Sequence, residues 1–166
     1  MTPDPLILTA RFDEAAEAWL DALRRAHFPP ERNVIPAHVT LFHALPGAEL
    51  ATITVVLEAE AGATPRSTAR LGPPRSLGRG VALGVQAPGL AQLRARLAMR
   101  WVAWLGPQDR QGWRPHATVQ NKVTPDAARA LLATLRAEGE AQVLGLRLWH
   151  YRGGPWEPAG VFDFPP

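Results

Sequence analysis

Residues 36–45, Pro36-Ala37-His38-Val39-Thr40-Leu41-Phe42-His43-Ala44-Leu45, hold the tetrad His38-Val39-Thr40-Leu41, which returns later as His116-Ala117-Thr118-Val119. Each copy reads histidine, apolar, threonine, apolar, inside a run with strand character. Side chains of a strand alternate between its faces, so His38 and Thr40 point one way while Val39 and Leu41 anchor the core. His116 and Thr118 stand in the same relation to Ala117 and Val119. Continued alternation puts Phe42 on the face of His38, puts Gln120 on the face of His116, and turns His43 to the opposite face as a core or helix-facing residue. Two such strands facing across a cleft would supply a proton acceptor, a proton donor and two hydroxyl donors for an anion. That kit suits phosphodiester chemistry.

Outward from the tetrads, strands are expected at residues 6–11, 37–45, 67–71, 80–86, 113–122, 142–152 and 161–164. Helices are expected at 13–27, where Ala16, Trp19, Leu20 and Leu23 recur at helical spacing, and at 89–105, where Leu90, Leu93, Leu97, Trp101 and Trp104 form a stripe. A third is expected at 125–138, opened by Thr124 as cap and Pro125 at the first helical position. Residues 48–61 are ambiguous: Thr52 to Val56 favour a strand, length and alanine and glutamate content a helix. The order strand-helix-tetrad strand-helix-strand then occurs twice, over 6–75 and 80–164. The expectation is one α+β domain spanning 1–166, bilobal, with two pseudo-symmetric β-α-β-α-β lobes whose antiparallel sheets flank a central cleft.

The chain has 166 residues, 46% hydrophobic and 20% charged, enough for a substantial core. No apolar run is long enough to span a bilayer, and the start, Met1 to Pro5, lacks the order of a signal peptide, so a cytoplasmic monomer with no membrane contact is expected. Absence of cysteine excludes disulfides, thiolate metal sites and a cysteine nucleophile. The net charge of +3 comes almost wholly from arginines, Lys122 being the one lysine. Their scatter reads as coding bias rather than a nucleic-acid surface.

The paired H-x-T-h motifs, their separation, the segments "PAHVTLFHAL" and "RPHATVQNK" and the bilobal order resemble the two-histidine (2H) phosphoesterase superfamily, and within it the bacterial 2′-5′ RNA ligase-like (LigT-like) proteins. The resemblance runs from Leu6 to Phe164. It implies catalytic roles for His38 and His116 and phosphate-binding roles for Thr40 and Thr118. It also implies an activity: metal-independent opening of a 2′,3′-cyclic phosphate, on an RNA end or a small cyclic nucleotide, to a 2′-phosphomonoester. The alternatives are RNA 2′-5′ ligation at the same site and a nucleotide-binding module without turnover.

Hydrolysis of a cyclic phosphodiester needs water deprotonated as it attacks and the departing ribose oxygen protonated. Imidazole serves either role near neutral pH. The initial assignment is His38 as acid and His116 as base, with Phe42 as a pocket wall, Gln120 as an amide contact and Lys122 or Arg79 as a nearby cation. His27 reads as a helix-end cap. Trp149, His150, Tyr151 and Arg152 form a cluster able to stack a base. Gly78-Arg79-Gly80 reads as a turn. No metal and no cofactor is expected, since no histidine pair has ligand spacing on a helix.

Overall fold

The computed structural model describes residues 3–166. Strand β1 (Leu6–Phe12) leads to Asp13, whose carboxylate accepts from the Ala16 amide at 3.3 Å and so caps α1 (Glu14–His27). Ala16 and Leu20 of α1 are buried, and Trp19 and Leu23 pack beside them, so the helical spacing is realised as a core-facing stripe. Residues 48–61 resolve as helix: α2 spans Leu50–Gly62 and buries Ile53, Leu57 and Ala61. The remaining helices are α3 (Pro88–Arg100), the short α4 (Pro107–Arg110) and α5 (Pro125–Thr134), the last capped by the Thr124 hydroxyl.

Strands β2 (Thr40–Leu45), β3 (Ser67–Ser76), β4 (Val81–Gln86), β5 (His116–Gln120), β6 (Gly139–His150) and β7 (Glu157–Asp163) complete an antiparallel sheet. Its order is β2-β1-β6-β3-β4-β5, with β7 on β6. The expected α+β class and antiparallel pairing hold, but the two sheets are one curled sheet. The last strand of each half crosses over: β6 joins β1 and β2, while β3 joins β4 and β5. The ends of this order meet through a single antiparallel bridge between Val39 and Ala117. Those are the second residues of the two tetrads, so the tetrads lie side by side rather than opposed across a gap.

Two boundaries matter for the site. First, β3 does not stop at Leu71. It continues through Pro73 and Pro74 to Ser76, its register with β4 slipping between Leu71 and Pro74. Prolines are tolerated there because a bulge needs no ladder donor at those positions. Second, β2 carries two irregularities. Its register runs Thr9 to Thr40, Leu8 to Phe42 and Leu6 to Leu45, so β2 gains a residue on β1 twice. Each extra residue inverts the facing of the side chains beyond it.

Candidate active site

The bridge at Val39 and Ala117 sets the geometry. Both side chains are fully buried, so their neighbours His38, Thr40, His116 and Thr118 share the opposite face, where all four line one cleft of about 560 Å³. Antiparallel pairing sets His38 beside Thr118 and Thr40 beside His116. The two histidines are then diagonal neighbours, with Cα atoms roughly 7–8 Å apart. This is the spacing at which two imidazoles can flank one phosphorus.

Both histidines are oriented in the same way. His38 Nδ1 lies 2.9 Å from the Pro36 carbonyl, and His116 Nδ1 lies 2.9 Å from the Arg114 carbonyl, in each case the residue two before. A carbonyl only accepts, so His38 Nδ1 carries the proton in its bond and Nε2 is left for the cleft. His116 Nδ1 stands between an acceptor, the Arg114 carbonyl, and a donor, Arg75 Nη2, and its role follows the tautomer. The threonine carbonyls are pinned too: Trp113 Nε1 donates to Thr40 at 3.0 Å, and Arg24 Nη1 donates to Thr118 at 3.1 Å. Arg24 is buried, its guanidinium lying 4.0 Å over the Phe28 ring, which ties α1 to the second tetrad.

Their electrostatics differ. Burial pushes the His38 imidazole down to about 4, helped by the charges of Arg24, His43 and His116 and only partly opposed by its bond to Pro36. His116 is also lowered, first by burial and then by Arg75, His43 and Arg114, against its own backbone bond. Arg75 Nη2 sits 2.9 Å from His116 Nδ1 and 3.2 Å from the Arg114 carbonyl. On the other flank, the Trp156 ring lies 4.6 Å from the His38 ring, and Trp149 follows at 6.2 Å from Trp156. An adjoining cavity of about 830 Å³ shares His38 and Trp156 with the cleft.

Several expected positions fall elsewhere. Phe42 is fully buried, packed edge-on against Trp101 with the Arg94 guanidinium 4.5 Å over its ring, because the first bulge of β2 turned it inward. Gln120 is 8% exposed and absent from the cleft wall, its amide oxygen buried without a partner; the β4–β5 register slips just before it, between Thr118 and Gln120. The same bulging reverses the reading of His43. Phe42 opposes the core-facing Leu8, so His43 comes out on the face of His38 and Thr40 and lines the cleft. Lys122 and Arg79 are exposed and away from the wall, where Arg75, Arg94 and Arg114 stand instead. Of the aromatic cluster, Trp149 lines the adjoining cavity, whereas Arg152 pairs with Asp4 and Glu157.

Among the described residues no group of three histidine, cysteine or acidic side chains could hold a metal ion, and no helix is long and apolar enough to cross a membrane.

A family model described as the 2′-5′ RNA ligase superfamily matches residues 12–155. Solved structures share the fold. Escherichia coli LigT complexed with 3′-AMP superposes with a TM-score of 0.71 at 20% identity, covering 99% of each chain. A protein described as a phosphoesterase gives 0.67 at 22% identity, also over 99% of each chain. TT0787 of Thermus thermophilus gives 0.62 at 18%, over 96% of this chain and 97% of its own. No curated protein matches the sequence.

Proposed function

Because the chain belongs to the 2′-5′ RNA ligase superfamily, we propose that it opens 2′,3′-cyclic phosphates of RNA ends or small nucleotides to 2′-phosphomonoesters by histidine acid–base catalysis. The observation that carries this reading is the shared cleft of His38, Thr40, His116 and Thr118, with both histidines fixed through Nδ1 and open at Nε2. In-line displacement needs a base on one side of phosphorus and an acid on the other, which a diagonal pair supplies.

His38 is the base. Burial keeps it neutral, and its Nδ1–H bond to Pro36 leaves a lone pair on Nε2. It takes a proton from water as the water oxygen bonds to phosphorus. The bond from phosphorus to O3′ breaks, and His116 gives its Nε2 proton to that oxygen. As an imidazolium His116 donates Nδ1–H to the Arg114 carbonyl, which requires Arg75 Nη2 to turn from that nitrogen, and the bound anion offsets the charge of Arg75 that opposes protonation in the free protein. The assignment inverts the one read from the sequence, because burial is the larger penalty at His38. Thr40 and Thr118 hydroxyls donate to the non-bridging oxygens, already aimed where charge builds up. Solvent exchange then resets both imidazoles.

The test is a panel of 2′,3′-cyclic nucleotides and short RNAs with cyclic ends, incubated with chelator and read by phosphorus NMR. A 2′-phosphomonoester is the expected product. Joining of a cyclic end to a 5′-hydroxyl would move the reading to 2′-5′ ligation, and binding without turnover would move it to a nucleotide-binding module.

A further inference from the structure

Outside the tetrads, the cleft holds a third imidazole. His43 lies on β2 at the next position of the cleft face after Thr40, and its side chain is 41% exposed. Its Nδ1 is 3.0 Å from Oδ1 of Asp109, whose side chain is only 3% exposed. Asp109 also accepts the amides of His43 and Ala44 at 2.9 and 3.0 Å, donors that the bulge leaves without a ladder partner. Arg94 completes the arrangement, donating to the Leu41 and Asp109 carbonyls at 3.2 and 2.7 Å. A structural account of Asp109 ends there: it satisfies a bulge. It does not account for the imidazole, whose Nδ1 is spent on a buried carboxylate while Nε2 faces an otherwise anion-seeking cleft.

We propose that His43, held by Asp109, is a further catalytic residue that donates from Nε2 to a non-bridging oxygen of the reacting phosphate. The inference rests on the phosphodiesterase reading above.

Three observations support it. The register makes His43 the neighbour of Thr40 on one face at the spacing of two β1 residues, roughly 7 Å, so hydroxyl and imidazole can bracket one phosphate. Asp109 is ionised: burial alone would raise its carboxyl, but the hydrogen bonds from the His43 ring and the two amides outweigh burial and hold it below the ordinary carboxylate value. Opposite that fixed negative charge, the imidazolium form presents Nδ1–H to Asp109 and Nε2–H to the cleft. Lastly, His43 lines the same cleft as His38 and His116. Two hydroxyls are weak partners for a phosphorane; a charge-assisted donor is about twice as strong as a neutral one.

His43→Ala, His43→Lys and Asp109→Asn test this, with circular dichroism to confirm the fold. On a 2′,3′-cyclic nucleotide, His43→Ala should lower kcat about 10²-fold, as loss of one preorganised donor does elsewhere. Its affinity for inorganic phosphate, measured by calorimetry, should fall about 10-fold. His43→Lys should recover much of both losses, because a nitrogen donor is restored to the cleft. Asp109→Asn, which keeps shape but not charge, should lower kcat more than it alters KM. The proposal is overturned if His43→Ala leaves kcat and phosphate affinity unchanged, or if the alanine and lysine variants lose equally, which would mark a packing role. Were the wild type inert on every cyclic substrate, the proposed function would fall and phosphate affinity alone would decide the role of His43.

Discussion

The two tetrads are alike in the backbone bonds that aim their histidines and unlike in their surroundings. In both, Nδ1 binds the carbonyl two residues back, the next residue makes the inter-tetrad bridge, and the threonine carbonyl accepts from a side chain outside the strand. Around His38 are the Trp156 ring and a desolvation strong enough to hold its imidazole at about 4; around His116 are Arg75 and Arg114. Aiming is therefore a property of the backbone, which the duplicated order repeats. Proton affinity is a property of neighbours, which it does not. The largest expected effect tests the shared part: His38→Ala and His116→Ala should each cut turnover by at least ~10²-fold with the fold preserved. The double variant should be little worse than either, because base and acid serve one step. A single variant retaining near wild-type kcat would break the equivalence.

Thr40→Ala and Thr118→Ala probe the same symmetry at lower amplitude. Each should cost about 10-fold in kcat/KM through a lost phosphate contact. A cost confined to one threonine would show the phosphate seated toward one half. The difference between the halves has its own test in the pH profile of kcat/KM, which reports the free protein. The base form of His38 is lost only near pH 4, and the acid form of His116 is scarce above the 6.5 of free imidazole, so the optimum should fall between them. Arg75→Ala removes a charge that opposes protonation of His116, which should move the alkaline limb to higher pH and leave the acidic limb in place. Movement of the acidic limb would reverse the acid and base assignments.

Legibility in the sequence divides along the same line. Periodicity and caps located α1, α5 and the tetrad strands, since the Asp13 and Thr124 caps and the buried Ala16 and Leu20 act locally. Four polar positions were legible because a tetrad repeats and strand alternation holds across it. Alternation failed one residue later, at the bulges of β2 and at the register slip before Gln120, and with it failed the placement of Phe42, His43 and Gln120. A bulge is fixed by distant partners, here Asp109 and Arg94, and those pairings leave no periodic trace. Arg75 escapes the sequence reading because the expected strand ends at Leu71, before Pro73 and Pro74, whereas β3 runs on to Ser76, and Trp156 because it sits in a glycine- and proline-rich connection.

The smallest effect concerns stability, and it sharpens the contrast in burial. An unfolded His38 takes up its proton near pH 6.5, whereas the folded protein resists until about pH 4. Between these values the unfolded state binds more protons, so stability falls as the pH is lowered, by at most about 1.4 kcal/mol per pH unit for one group. Above pH 6.5 the contribution is flat. His38→Gln keeps a polar side chain and removes the titration, so urea midpoints measured from pH 7 down to pH 4.5 should decline less steeply than in the wild type. The same change at His116 should flatten the curve less, because that imidazole is less deeply buried. Equal flattening by the two variants would mean that the halves bury their histidines alike, and the reason for making His38 the base would go with it.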